Sequence, residues 1–340
     1  MEVPFTRPYF RGDEGAGIAE VIASGWVSQG PRVREFEKAF AARVAAADAV
    51  ATTNCTTALQ LALYAAGVGP GDEVIVPSLS FIATANAVWQ NGATPVFADV
   101  DFATGNISAA TVEPLITERT RAIMPVHQLG LPADLDPLVA LAREHGLALV
   151  EDAACALGAR YRSRPIGSSG NLACFSLHPR KVITTGEGGM IAVDDPAIAD
   201  RLRKLRQHAM DVSDVARHAA RDVVIESYPE RGWNARMTDL QAALGLSQLE
   251  LLDEILEERR RLADRYTAAL DQLPQLTPPR DPDYAERTWQ SYAVHLDPAA
   301  PIGRTELMRL LLRDGIATRR GVMAIHLEPA YAGVEAHLPN

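Results

Sequence analysis

The chain has 340 residues, of which 47% are hydrophobic and 22% are charged, as in an ordinary globular protein of about two domains. Its net charge of −10 argues against a nucleic-acid-binding face, and no apolar stretch is long enough to span a membrane. Three cysteines without a C-x-x-C pair, and a start without a signal peptide, predict a reduced, cytoplasmic location.

Short apolar runs alternate with helical patterns along the first two thirds of the chain. Residues 1–30 read as irregular, and a helix is predicted over 32–43. Strands are then predicted over 49–52, 73–76, 95–98, 122–126, 147–150, 172–175 and 190–193, and helices over 56–66, 81–90, 109–118, 135–144 and 196–210. This alternation predicts an α/β fold with a mostly parallel sheet, in which ligands bind at the carboxyl ends of the strands.

A long helical pattern over 237–269 precedes a proline-rich linker. We place a domain boundary within it, which gives a large domain at 1–246 and a smaller C-terminal α+β domain at 247–340. Within the small domain we predict strands over 291–296 and 317–318 and a helix over 304–313.

One loop lysine, Lys181, lies between two apolar runs that read as buried strands. A loop lysine is commonly a solvated surface residue. The alternative is an amine that forms a Schiff base with a carbonyl cofactor, which needs a pocket that favours the neutral amine. Gly186, Gly188 and Gly189 allow tight backbone turns close to a bound group.

Polar side chains follow several predicted strands. Thr56 and Thr57 begin the helix after the first strand. This helix end is interpreted either as a phosphate-binding site or as a plain helix start capped by Asn54 or Thr56. Phe81 follows the second strand and either lies flat on an aromatic ring or belongs to the core.

Two more side chains complete the set. Asp152 follows the strand predicted over 147–150. Its buried carboxylate is expected either to pair with a pyridinium N–H or to serve as a helix N-cap or in a salt bridge. Ser176 lies five positions before Lys181, within reach of a phosphate oxygen. Together with the preceding residues they describe a pyridoxal 5′-phosphate (PLP) site.

The chain resembles the DegT/StrS-type nucleotide-sugar aminotransferases, which are fold-type I PLP enzymes with a seven-stranded, mostly parallel sheet. The matching motifs are Ser24-Gly25-Trp26, Gly30-Pro31, Gly69-Pro70-Gly71-Asp72-Glu73, Glu151-Asp152-Ala153-Ala154, His178-Pro179-Arg180-Lys181, Gly186-Glu187-Gly188-Gly189 and Asn234-Ala235-Arg236-Met237-Thr238-Asp239.

The resemblance implies roles for the matching residues. Lys181 is expected to form the internal aldimine and to move a proton between the substrate carbon and the cofactor. Asp152 is expected to pair with the pyridine nitrogen and Phe81 to stack on the ring. Thr56, Thr57 and Ser176 are expected to bind the phosphate. Asn234 is expected to reach the cofactor phosphate of the neighbouring subunit, which implies a homodimer with shared sites.

The sequence departs from the family pattern in three places. Cys55 replaces a usual glycine, and Cys155 replaces a glutamine that many members carry near the cofactor hydroxyl. A thiol is a weaker hydrogen-bond partner than an amide. The family's final strand and helix are not found before Asn340, so we expect the small domain to be truncated at its end.

The predicted activity is amino transfer from L-glutamate to a keto group of a nucleotide-linked sugar, with a 4-keto-6-deoxyhexose as the expected acceptor. The alternatives are a PLP-dependent sugar dehydratase, in which a histidine replaces the lysine, and a catalytically silent PLP-binding regulator. Residues expected to contact the substrate are Trp26, His127, Arg319 and His326, although Arg319 is equally readable as a surface arginine. No metal site is predicted.

Overall fold

The computed structural model describes residues 2–212, 217, 220–334, 336 and 338. In this part of the chain the strands are β1 (Asp48–Thr52), β2 (Glu73–Pro77), β3 (Thr94–Ala98), β4 (Thr120–Ile123), β5 (Ala148–Asp152), β6 (Arg160–Tyr161), β7 (Arg164–Pro165), β8 (Leu172–Ser176), β9 (Gly189–Val193), β10 (Leu276–Thr277), β11 (Ala285–Glu286) and β12 (His295–Leu296). The predicted truncation of the small domain at Asn340 falls outside the described residues.

The α-helices of the described part are α1 (Gly15–Ser24), α2 (Pro31–Val44), α3 (Cys55–Ala65), α4 (Ala83–Gln90), α5 (Ala109–Val112), α6 (Leu135–Glu144), α7 (Pro196–Leu205), α8 (Asp239–Glu250), α9 (Leu252–Leu270) and α10 (Arg304–Arg313). Short 3₁₀ turns lie at Glu113–Leu115, Gln128–Gly130, Ile325–Leu327 and Pro329–Tyr331.

Seven strands form the central sheet in the order β1-β9-β8-β5-β4-β2-β3. β9 is antiparallel to both of its neighbours, and every other pairing in this sheet is parallel. The carboxyl ends of the parallel strands therefore meet at one edge, as the alternation of strands and helices predicts.

Helices cover both faces of this sheet, so its strands are buried on both sides. Along β2, Ile75 packs in one hydrophobic cluster, whereas its neighbours Val74 and Val76 pack in a second cluster. Phe36 of α2 belongs to the first cluster and Leu59 of α3 belongs to the second. This alternation follows from the two-residue period of a strand and explains why the strands read as continuous apolar runs.

The structure differs from the sequence prediction at the N-terminus and near residue 250. The segment predicted as irregular contains α1. The long predicted helix is two helices, α8 and α9, which are separated at Leu251. The proposed boundary after residue 246 lies within α8, close to this break.

Two further elements of the C-terminal part differ from the prediction. The strand predicted over 291–296 is only the two residues of β12, which pairs with β10. No strand forms at 317–318; instead Ile316 makes an isolated bridge with Val3. The predicted helix over 304–313 is present as α10. Among the described residues, no helix has the length and apolar character that crossing a membrane requires.

Candidate active site

The predicted site residues lie where parallel strands of the central sheet end. Thr52 at the end of β1 pairs with Gly189, and Ser176 at the end of β8 pairs with the same glycine. On the next strand, Asp152 at the end of β5 pairs with Cys174. These neighbouring strand ends bring the predicted phosphate ligands and the predicted pyridine partner to one edge of the sheet.

The amino end of helix α3 forms one side of this edge. The Asn54 side chain accepts hydrogen bonds from Thr57 N at 2.9 Å and from Thr57 Oγ1 at 3.1 Å, so Asn54 is the cap. Thr56 is half-buried, and its hydroxyl has no hydrogen-bond partner among the described residues. The helix end with its positive dipole, together with this hydroxyl and Ser176, suits a phosphate group.

Gly189 allows β9 to approach this helix end closely. A Cβ atom at this position would lie 2.5 Å from the carbonyl carbon and oxygen of Asn54 and 2.6 Å from Thr52 Oγ1. No side chain larger than hydrogen fits without moving the backbone. Gly189 therefore sets the spacing between the β1–α3 turn and the strand that follows the lysine loop.

Asp152 is a buried carboxylate at the end of β5. Its Oδ2 accepts a hydrogen bond from Thr84 Oγ1 at 2.8 Å, and its Oδ1 accepts one from Ala154 N at 3.2 Å. Burial raises the pKa of Asp152, and the Thr84 hydroxyl, the Ala154 amide and the Lys181 amine oppose this rise only in part. No salt bridge to Asp152 forms among the described residues, so its carboxylate lacks the ionic partner that a buried charge needs.

Lys181 lies in the loop between β8 and β9 and is half-buried rather than fully solvated. Its Nζ donates a hydrogen bond to Cys155 Sγ at 3.2 Å. Burial lowers the pKa of the Lys181 amine, but Cys155, Cys55 and Asp152 together outweigh burial and raise it. Burial therefore favours the neutral amine, whereas the neighbouring sulfur and carboxyl groups favour the charged amine.

Phe81 lies in the loop before α4 and is 63% exposed. It is therefore not a core residue, which removes one of the two interpretations of this aromatic side chain. The loop is fixed on the protein because Ser80 N donates to Met323 O at 3.1 Å and Ile325 N donates to Ser78 O at 2.7 Å. An exposed phenyl ring on a fixed loop offers a surface for a flat aromatic group.

Asn234 and Trp26 lie in segments that border the site. Asn234 is exposed and forms a backbone bridge with Gln207. The next residue, Ala235, accepts a hydrogen bond from Thr53 N at 3.0 Å, so Asn234 lies beside the β1–α3 turn. Trp26 is half-buried and packs close to Gly30.

His127 does not present a free group to the site. It is completely buried, its Nε2 lies 3.0 Å from Glu151 Oε2, and its Nδ1 accepts from Ala133 N at 3.1 Å. Its backbone N donates to Asp152 O at 3.0 Å. His127 thus lies beneath Asp152 with both ring nitrogens engaged, which differs from the predicted contact with a sugar.

Arg319 and His326 are not brought together with Lys181 by any described contact. Arg319 is exposed and lies over the Phe5 ring at 4.8 Å from the ring centre. His326 is half-buried near Phe97, and its Nδ1 is buried without a hydrogen-bond partner among the described residues. Arg319 therefore takes the surface position that the sequence left open as an alternative.

The sequence prediction missed a buried polar network around Glu151. Glu151 is fully buried and accepts hydrogen bonds from Ser169 Oγ at 2.5 Å and Asn171 Nδ2 at 2.9 Å as well as pairing with His127. Burial alone would raise the pKa of Glu151, but these bonds outweigh burial and lower it. The sequence feature that could have indicated this network is Glu151 itself, an acidic residue that directly precedes Asp152 at the end of a predicted buried strand.

The arrangement of these side chains fits PLP. A buried carboxylate without an ionic partner suits a pyridinium nitrogen, an exposed phenyl ring suits its face, and a helix amino end with a free hydroxyl suits its phosphate. The Lys181 amine, which contacts Cys155 directly after the β5 strand end, suits a Schiff base to the cofactor aldehyde.

Comparisons with known proteins agree with this assignment. The family model of the DegT/DnrJ/EryC1/StrS aminotransferase family matches residues 9–340. GDP-perosamine synthase of Caulobacter vibrioides (strain ATCC 19089 / CIP 103742 / CB 15) is 43% identical over 97% of this chain and 87% of its own length.

Two solved structures extend the comparison. The S. venezuelae protein DesV, solved with a ketimine intermediate, is 38% identical, with a TM-score of 0.86 over 98% of this chain and 88% of its own. A Streptococcus pneumoniae protein solved in its PLP form is 28% identical, with a TM-score of 0.89 over 97% of this chain and 87% of its own. These findings confirm the predicted fold and cofactor. The chain belongs to the DegT/DnrJ/EryC1/StrS aminotransferase family and is a PLP-dependent aminotransferase.

Proposed function

We propose that this enzyme transfers an amino group from L-glutamate to a keto group of a nucleotide-linked sugar, with a 4-keto-6-deoxyhexose as the expected acceptor. The observation that carries the proposal is the Lys181 amine, placed beside Cys155 at the carboxyl edge of the sheet where Asp152 ends β5. The sugar acceptor is supported by the 43% identity to a GDP-perosamine synthase.

Each site residue has a distinct task in this proposal. When bound, PLP supplies the electron sink that stabilises negative charge at the substrate carbon. The Asp152 carboxylate holds the proton on the pyridine nitrogen. Thr56 and Ser176 bind the phosphate, and Thr57 joins them by turning its hydroxyl proton from Asn54 to the phosphate. Lys181 Nζ takes the proton from the substrate carbon and returns a proton in the second half of the reaction. Phe81 covers one face of the ring and limits the access of water.

The small domain and a second subunit complete the proposed enzyme. We divide the chain into a PLP-binding domain over 1–246 and a smaller domain over 247–340. Asn234 is exposed beside the β1–α3 turn, where it is free to reach the cofactor phosphate of a neighbouring subunit in a homodimer. Trp26 and the half-buried His326 remain proposed contacts of the nucleotide-linked sugar.

An absorption spectrum before and after addition of L-glutamate tests the first half of the reaction. The wild type should show a cofactor band that shifts to the pyridoxamine form, and Lys181→Ala should lose this conversion. Lys38→Ala, which removes an exposed lysine of α2, is the matched control and should behave as the wild type.

The acceptor is then tested by incubation of the pyridoxamine form with nucleotide-linked keto-sugars and mass spectrometry of the products. An amino-sugar is the expected product. A cofactor band that does not change on addition of glutamate would favour a catalytically silent PLP-binding protein. A deoxygenated product without added nitrogen would favour a dehydratase.

A further inference from the structure

Two buried hydroxyl groups lie behind the Asp152 carboxylate. Thr84 Oγ1 is 2.8 Å from Asp152 Oδ2 and 2.7 Å from Ser80 Oγ. Thr84 is fully buried and Ser80 is 1% exposed, so water does not substitute for either contact. Neither residue has a role in the proposed steps of amino transfer.

The direction of the hydrogen bonds follows from the chemistry of the groups. An ionised carboxylate only accepts, so the single Thr84 proton is donated to Asp152. The contact between Ser80 and Thr84 is then donated by the Ser80 hydroxyl. Ser80, Thr84 and Asp152 therefore form a relay in which each hydroxyl points toward the carboxylate and strengthens the next bond.

The relay occupies one carboxylate oxygen and leaves the other for a ligand. Oδ2 is held by Thr84, whereas Oδ1 accepts only from Ala154 N at 3.2 Å within the described part of the chain. The Thr84 hydrogen bond also opposes the rise in the Asp152 pKa that burial causes. Without it, the carboxyl would be both less firmly oriented and more readily protonated.

The outer end of the relay is attached to a distant part of the chain. Ser80 N donates to Met323 O at 3.1 Å, and Leu79 forms an antiparallel bridge with Ala324. These bonds fix the backbone that carries the Ser80 hydroxyl. The orientation of Asp152 thus depends on the segment at 323–325 as well as on its own strand.

We propose that Ser80 and Thr84 are positioning residues that hold Asp152 as an oriented carboxylate for the pyridine nitrogen of PLP. This inference rests on the role proposed above for Asp152. The protonation state of the pyridine nitrogen then depends on two hydroxyl groups that do not themselves touch the reacting atoms.

The test combines PLP affinity with the protonation of the pyridine nitrogen. Apo-protein is titrated with ¹⁵N-labelled PLP, the dissociation constant is measured from absorbance, and the ¹⁵N chemical shift reports the protonated fraction across pH. Thr84→Val keeps the shape and removes the donor, and Thr84→Ser keeps the donor. We expect Thr84→Val to bind PLP about tenfold more weakly than the wild type. In this variant the pyridine nitrogen of bound PLP should lose its proton at a lower pH than in the wild type. Thr84→Ser should resemble the wild type in both measurements.

Asp152→Asn separates this inference from the assignment on which it rests. If Asp152→Asn leaves both affinity and chemical shift unchanged, the proposed role of Asp152 fails. If Asp152→Asn changes both but Thr84→Val changes neither, the relay alone is overturned. Should Thr84→Val not fold, as judged by circular dichroism, Ser80→Ala decides the question: a smaller shift in the same direction supports the relay, and wild-type values overturn it.

Discussion

At the Lys181 amine, the contacting group is the sulfur of Cys155, at 3.2 Å. Burial favours the neutral amine, whereas the sulfur and nearby carboxyl favour the charged amine, and the second effect prevails. The amine must lose its proton before it attacks a carbonyl carbon. We therefore expect Cys155 to influence the pH at which the protein takes up its cofactor covalently.

Cys155→Ala should shift covalent PLP uptake to lower pH. The substitution removes the neighbour that most raises the Lys181 pKa, so the pKa falls and the neutral fraction at a given pH increases. Uptake near neutral pH, followed by absorbance, should become several-fold faster. Cys174→Ala is the control, because Cys174 is buried and does not contact Lys181. An unchanged pH profile in Cys155→Ala would show that the sulfur does not control the amine.

The positions of Lys181, Asp152 and the helix-opening threonines could be predicted from the sequence, since strand ends of a parallel sheet share one edge. Which atoms touch could not be predicted. The Lys181–Cys155 contact depends on the path of two loops, and the Thr84–Asp152 contact joins α4 to β5 across the sheet edge. Such contacts leave no periodic pattern in the sequence.

At the scale of secondary structure, the junction between β9 and the β1–α3 turn depends on the absence of a side chain. Gly189 lies against the Asn54 backbone, and backbone atoms do not move aside as a flexible side chain does. The phosphate-binding end of α3 is thus held at a fixed distance from the lysine loop.

Gly189→Ala should destabilise the protein by about 1–3 kcal/mol and weaken PLP binding. The added Cβ would push the β1–α3 turn away from β9 and move Thr56 and Ser176 apart. Gly69→Ala is the matched control, because a Cβ at Gly69 meets no atom within 4 Å. Urea unfolding and PLP titration measure the two effects. Equal stability of both variants would contradict this account of the junction.

Helix α1 shows why some elements escaped prediction. Gly15 and Gly17 lower the intrinsic helix propensity of this segment, so it reads as irregular. Gly17 lies against Ala243 of α8, where a Cβ would be 3.6 Å from the Ala243 Cβ. Tertiary packing of α1 on α8 stabilises the helix, and a local pattern does not report such packing.

At the scale of the whole molecule, a homodimer with shared sites would place Asn234 of each subunit at the partner's cofactor. Asn234 is exposed, so its side chain is accessible to a second subunit. In a C₂ dimer the same contact would then occur twice, once in each direction.

Mixing two inactive variants tests this arrangement. Lys181→Ala and Asn234→Ala should each lose activity alone, the first completely and the second through weak cofactor binding. After joint refolding, random pairing should restore about a quarter of the wild-type activity, because each mixed dimer has one intact site. A mixture of Lys181→Ala with Asp152→Ala is the control and should stay inactive, since both residues belong to one subunit. No recovery in the first mixture would place Asn234 in its own subunit's site.

The pairing of the Phe81 loop with residues 323–325 has a consequence for biosynthesis. Asn86 and Tyr331, which are 245 positions apart, are joined nearby by a hydrogen bond of 2.8 Å. A ribosome must therefore have released residues 323–331 before these contacts of the Phe81 loop and α4 form, even though β1 to β5 emerge much earlier. Contacts between such distant segments form late. The Phe81 loop consequently gains these contacts long after the strands that carry the proposed phosphate ligands have been made.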